Sequence, residues 1–172
     1  MSRVIINDDN LFLSDVSKFS NKVRAVLLQD HKFLIAYYGG VYLFPGGSIE
    51  KGEDPDLAII RELKEETGIT YDISDLERLY TLKYYQKKYP TKRNFLENKL
   101  MLADYYIGEY KGIDLLKTKR TEREKRDHFS LQLVPFEDIS SLLNEKTDNP
   151  RKEYFDREIE ETVKVLKMRR KI

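Results

Sequence analysis

Three glutamates hold the clearest chemical potential in the chain. Glu62, Glu65 and Glu66 fall in Asp54-Pro55-Asp56-Leu57-Ala58-Ile59-Ile60-Arg61-Glu62-Leu63-Lys64-Glu65-Glu66-Thr67-Gly68, where the apolar period is near that of a helix. At about 100° per residue they share one face, next to an apolar side made by Ile59, Ile60, Leu63 and Thr67. Like charges at this spacing destabilise a helix by roughly a few tenths of a kcal/mol per pair. The negative end of the helix dipole adds to that cost. A divalent cation reverses the sign, and an all-oxygen donor set suits hard ions such as Mg²⁺, Mn²⁺ or Ca²⁺. Ala58, one turn before Glu62, is small enough to leave room there for a metal or a phosphate. Arg61, one turn before Glu65, is placed to brace that carboxylate, and Glu53 to reach back towards the cluster.

The elements around this helix must hold it in place. Asp54 is a good N-cap, Pro55 suits the first helical position, and Gly68 ends the helix. Ahead of it, Gly46-Gly47 and Gly52 permit a tight loop whose backbone approaches the carboxylate face and can offer it a carbonyl oxygen. Further upstream, Val23–Leu28 and Phe33–Tyr38 read as a hairpin across Gln29-Asp30-His31-Lys32, with His31 a surface turn residue. Val41–Phe44 reads as a third strand. Downstream, Leu79–Tyr85 and Lys99–Tyr110 read as strands on either side of a basic loop from Lys87 to Arg93. Residues 111–128 read as an exposed connection, Phe129–Val134 as a strand, and Pro135–Leu143 as a short helix with Leu142 and Leu143 facing inward. Asn149-Pro150 opens a last amphipathic helix with Phe155, Ile159, Val163 and Leu166 on one stripe. Strands interleaved with helices predict one layered α/β domain over residues 21–172, preceded by a leader or edge segment over residues 1–20.

Composition narrows the chemistry. The chain has 172 residues, no cysteine and two histidines, so thiol nucleophiles, zinc ribbons and multi-histidine metal sites are excluded. The 31 basic and 30 acidic side chains leave a formal charge of +1. Without a long apolar run or a signal-peptide core, a soluble cytosolic protein with no membrane partner is the expectation.

Gly47, Glu53 and Arg61-Glu62-Leu63-Lys64-Glu65-Glu66-Thr67-Gly68-Ile69 together resemble the Nudix box at every defined position. The resemblance implies an α/β/α sandwich with a mixed sheet. It also implies hydrolysis of a nucleoside diphosphate linked to another moiety, with Mg²⁺ or Mn²⁺ and a water nucleophile. Carried over by motif position, Glu62, Glu65 and Glu66 are the metal carboxylates, Gly46 contributes its carbonyl, Glu53 stands nearby, and Arg61 orients the glutamates. The general base is left open between Glu62 and a downstream loop residue among Glu122, Glu124, Asp127 and His128.

A second feature is the set Lys83, Lys87, Lys88, Lys92 and Arg93 with Tyr84, Tyr85 and Tyr89, which contains no acid. It reads either as a substrate-contacting loop, with Tyr84, Tyr85, Lys87 and Lys88 on base and phosphates, or as a solubilising hairpin. A tyrosine at the position of Tyr84 or Tyr85 also resembles a mark of diadenosine polyphosphate hydrolases. Nucleoside triphosphates and nucleotide sugars stay open as substrates. A catalytically inactive Nudix-fold sensor or RNA-binding module is the rival reading, and nucleic acid is not the favoured partner. The basic cluster Lys167 to Lys171 reads as complementing the negative end of the last helix. Nothing in the sequence indicates an oligomeric state.

Overall fold

The computed structural model describes residues 2–91, 93, 95–122, 125 and 128–172. Lys92, Glu124 and Asp127 lie outside the described residues. The strands are β1 (Arg3–Ile6), β2 (Lys18–Gln29), β3 (Lys32–Tyr38), β4 (Val41–Leu43), β5 (Leu76–Pro90), β6 (Leu96–Glu109) and β7 (Ser130–Pro135). The helices are α1 (Pro55–Thr67), α2 (Ile139–Leu143) and α3 (Lys152–Met168). The sheet order is β1-β5-β6-β2-β3-β4, with β7 paired to the other edge of β3. β1 runs parallel to β5 and β2 parallel to β6, while the remaining pairs are antiparallel, so the sheet is mixed.

Residues on β2 alternate between the two faces. Val23, Ala25 and Leu27 pack with Ala58, Ile59 and Leu63 of α1. Val26 packs on the opposite face with Tyr105, Ile159, Val165 and Leu166. A strand buried on both sides reads as a nearly continuous apolar run. Helices on both faces of a mixed sheet give the expected α/β/α layering.

Several elements differ from the sequence reading for identifiable reasons. β2 begins at Lys18, ahead of Val23, because its first residues gain a ladder with Lys99–Ala103 of β6. Residues 3–6 form the edge strand β1, so of the two alternatives for residues 1–20 this part takes the edge one. Lys87–Pro90 belongs to β5 rather than to a loop, since the β5–β6 ladder continues through a bulge to Pro90↔Leu96. Asn149 does not cap α3 directly. Its Oδ1 accepts from the Arg151 amide at 2.9 Å, its Nδ2 donates to the Gly39 carbonyl at 2.6 Å, and the helix starts at Lys152. The buried stripe of α3 is Glu158, Ile159, Thr162, Val165 and Leu166, with Phe155 and Val163 only half-buried. No helix among the described residues is long and apolar enough to cross a membrane.

Candidate active site

The loop after β4 runs along the edge of β2 that β3 leaves free. The Ala25 amide donates to the Pro45 carbonyl at 2.8 Å, the Val23 amide to Gly47 at 3.0 Å, and the Ile49 amide to Asn21 at 3.1 Å. Two glycines make this approach possible. Gly46 has φ +134, and a Cβ there would lie 2.2 Å from the Val23 carbonyl oxygen; a Cβ on Gly47 would lie 2.3 Å from the Glu62 carboxyl carbon. Side chains at either position would push the loop off β2 or off α1.

α1 is fixed at both ends. The Asp54 side chain accepts from the Asp56 amide at 2.8 Å, and the Asp56 carboxylate takes the Tyr106 hydroxyl at 2.6 Å and the Arg78 guanidinium. At the other end, the Asp114 amide donates to the Thr67 carbonyl at 2.7 Å and the Lys119 amide to the Glu65 carbonyl at 2.8 Å. Residues 114–119 are therefore more than an exposed connection. They satisfy carbonyls that the last turn of a helix leaves without partners. Burial of Ile59 and Leu63 at this interface contributes roughly 1.5–3 kcal/mol each.

The carboxylates gather where the loop meets α1. Glu66 is 6% exposed, and its Oε2 accepts from the Gly46 amide at 2.9 Å. Arg61 holds the others. Its Nε and Nη2 donate to Glu53 at 2.8 and 2.9 Å, its Nη1 to Glu62 at 2.9 Å, and its Nη2 to the Ser48 carbonyl at 3.0 Å. Glu65 is 3.7 Å away, so the brace expected for Glu65 goes chiefly to Glu53 and Glu62. The Arg61 hydrogen bonds hold the Glu53 carboxyl down at about 2. Burial pushes the Glu62 carboxyl above its ordinary value, with Arg61 opposing. Ala58 leaves no space for a ligand, because it is fully buried against β2.

Among the described residues, no three acidic or histidine side chains converge on a point that would hold an ion. One guanidinium here occupies the carboxylate oxygens that a cation would draw together. The donors themselves fit a hard divalent ion. They are all oxygens, held within about one helical turn, and the glycine loop brings backbone to within a Cβ's distance of Glu62.

The other expected site residues are spread more widely. Tyr84 is in the core beneath α3, 6.4 Å from the Tyr154 ring, and not on a substrate loop. Tyr85 is half-buried on the opposite face of β5, with the Lys83 ammonium 5.1 Å over its ring. Lys87 and Lys88 are exposed; Lys87 pairs with Asp9 at 3.6 Å. Glu122 is exposed and paired with Lys125 at 2.6 Å, and His128 is exposed in a turn. Arg169 and Lys171 contact Ser2 and Glu77.

Sequence reasoning missed a buried polar network on the α3 side. Arg24 Nε meets Glu158 Oε1 at 3.2 Å, and the Tyr105 hydroxyl donates to the same oxygen at 2.5 Å. Tyr80 stacks on Tyr105 at 4.6 Å and shares a hydrogen bond with Thr162 at 2.7 Å. Burial disfavours the Arg24 charge, but Glu158 outweighs it and the guanidinium pKa rises; Glu66 adds to the same effect. A signal was available. An arginine inside the continuous apolar run Val23–Leu28 needs a buried partner.

The architecture is a mixed sheet between helices, with a glycine loop pressed against a carboxylate-bearing helix. The sequence matches the NUDIX domain family over residues 16–158, and the chain belongs to that family. An 8-oxo-dGTP diphosphatase of Haemophilus influenzae is 38% identical over 102 residues, covering 59% of this chain and 70% of that protein. An 8-oxo-dGTP diphosphatase of Proteus vulgaris is 32% identical over 79 residues, covering 46% of this chain and 61% of that relative, less than two thirds of its length. The NUDIX domain of Shewanella oneidensis NrtR, solved in complex with ADP ribose, superimposes with a TM-score of 0.55 at 17% identity. That likeness covers 93% of this chain and 94% of that one, and it is a likeness of fold.

Proposed function

We propose that the protein hydrolyses a phosphoanhydride bond in a nucleoside diphosphate linked to a further group, by attack of water on phosphorus, with Mg²⁺ as the preferred cation and Mn²⁺ able to replace it. The observation that carries this reading is the junction of loop and helix. The Gly46 amide fixes buried Glu66, and Arg61 gathers Glu53, Glu62 and Glu65 at the same place. The kinship with diphosphatases that act on a nucleotide supports it.

When bound, a divalent cation supplies charge neutralisation of the diphosphate and a lower pKa for water. The protein's own residues do the rest. Glu62, Glu65 and Glu66 would supply carboxylate oxygens to the cation, and the Gly46 carbonyl would be a further oxygen donor. Arg61 holds the Glu62 carboxylate in a fixed rotamer, and Glu53 anchors Arg61. Glu62, whose carboxyl burial pushes upward, takes the proton of the attacking water.

The test is turnover of a panel of nucleoside triphosphates, oxidised guanine nucleotides, ADP-ribose, nucleotide sugars and diadenosine polyphosphates, with and without Mg²⁺. Glu66→Gln should fold normally, because the new amide oxygen still accepts from Gly46, and should lose at least about a hundredfold in kcat. Wild-type turnover in that variant would remove Glu66 from the site. A folded protein that binds Mg²⁺ yet turns over nothing on the panel would make the chain a binding module.

A further inference from the structure

On its own side of the sheet, α1 covers only part of the strands. Tyr106 and Arg78 meet the start of the helix at Asp56. Beyond them the strand register sets out an uncovered face. Leu82 and Tyr84 of β5, Met101 and Ala103 of β6 and Ile6 of β1 belong to the α3-side core, so their neighbours along each strand point the other way. One row across β1, β5, β6 and β2 is Ile5, Lys83, Leu102 and Asn21. The row on one side of it holds Thr81 and Asp104, and the row on the other side Tyr85, Leu100 and Phe19.

This face is apolar, yet it stands in water. Ile5 is 60% exposed, Phe19 59% and Leu102 40%. The segment between β1 and β2 extends it. That segment crosses the end of β6 at Asn98, two residues along from Leu100 and on the same side. There the Asn98 Nδ2 donates to the Asp15 carbonyl at 3.1 Å and the Ser17 amide to the Asn98 carbonyl at 2.9 Å. The crossing leaves Phe12 75% and Leu13 58% exposed at the border of the face. Five large apolar side chains at these exposures present roughly 500 Å² to water, at the upper end for a patch on a monomer. With the polar side chains between them the face comes near the ~800 Å² that each partner gives to a stable interface.

The charges on the face select the occupant. The Lys83 ammonium lies 5.1 Å over the Tyr85 ring, and Asp104, in the neighbouring row, accepts the Thr81 hydroxyl at 2.6 Å. Among the described residues neither is in an ion pair. A twofold axis along the seam between β5 and β6 lays β5 on the β6 of a second copy and β1 on its β2. Lys83 of each copy then comes within a side chain's reach of Asp104 of the other, and Ile5 lands against Asn21 and Phe19. The face is thus complementary to itself, in charge and in apolar surface. We propose that it joins two copies of the chain in a symmetric dimer, with Phe19 and Leu102 as apolar anchors and Lys83–Asp104 as the paired charges. The interface uses no residue of the carboxylate site, so it stands or falls independently of the hydrolase reading.

The test is sedimentation velocity on the full chain across a concentration series, with circular dichroism to check that each variant is folded. The wild type should sediment as a dimer. Phe19→Ser should raise the dimer Kd about a hundredfold, because each dimer loses the ring twice. Lys83→Glu and Asp104→Lys should each weaken it by about a hundredfold or more, since each sets like charges against one another at both contacts. Mixed in equal amounts, these two variants should dimerise again, because a mixed pair has opposite charges at both contacts. A merely structural role for either residue predicts no such rescue. A wild type that stays monomeric at about 100 μM, variants that dimerise like the wild type, or a mixture that stays monomeric each overturn the interface. Phe19→Ser, at an open position, decides the question should a charge variant fail to fold.

Discussion

The two faces of the sheet hold their charges by opposite means. On the α1 face, Arg61 joins Glu53, Glu62 and Glu65, all within one contiguous stretch of chain and partly open to solvent. On the α3 face, Arg24 and Glu158 are 134 residues apart in sequence, and each is 4% exposed. The first arrangement can exchange its cation, because water and ions reach it. The second cannot, since an unpaired charge there has no solvent to fall back on. The α1 face is therefore suited to binding and chemistry, and the α3 pair to locking the last helix onto the strand that carries the glycine loop.

Breaking the α3 pair should give the largest change in stability. Glu158→Leu should destabilise the protein by about 3–5 kcal/mol, because Arg24 and the Tyr105 hydroxyl are left buried without their acceptor. Arg24→Met combined with Glu158→Leu should recover much of that loss. Chemical denaturation of both singles and the double closes the cycle, and a double mutant no better than the singles would show that the pair stabilises by more than charge balance.

Arg61→Ala should do the reverse on the other face. Its loss frees carboxylates that then repel, so metal-free stability falls, and saturating Mg²⁺ restores about 2.7 kcal/mol at a hundredfold excess over Kd. Thermal melts with and without Mg²⁺ measure this. A variant that gains no more from Mg²⁺ than the wild type would show that the guanidinium does not compete with the cation.

Acid sharpens the comparison further. A carboxyl held below its unfolded pKa stabilises the fold above the unfolded value and loses that contribution as pH falls through the folded one. For Glu53 the window runs from 4.5 down to about 2. Glu53→Gln should flatten the acid limb of the stability profile across that window and leave stability at neutral pH dependent only on the lost Arg61 contacts. A variant with an unchanged acid limb would place the titration elsewhere.

The smallest effect concerns the cap. Asp54→Ala should cost about 1 kcal/mol without altering Mg²⁺ affinity, because Asp54 fixes the start of α1 and contacts no carboxylate of the site.

The helix that bears Glu62, Glu65 and Glu66 was legible because its cap, proline, period and terminal glycine are all local signals. The strands around it were legible as elements but not at their ends. Lys18–Lys22 has no apolar period, and only pairing with β6 makes it a strand. Tyr84 misled for a related reason. It falls in the expected strand Leu79–Tyr85, but which face of that strand is covered depends on α3, far along the chain, and the ring is buried there.

The residue order alone determined the carboxylate helix, the glycine loop before it and the layered α/β class, because each depends on interactions among residues near in sequence. Only the tertiary structure decided that Arg61 serves Glu53 and Glu62 before Glu65, that Ala58 is packing, and that Arg24 meets Glu158 beneath α3. Those outcomes depend on which distant segments share a dry interior, and a charge buried there must find its partner wherever the fold brings one.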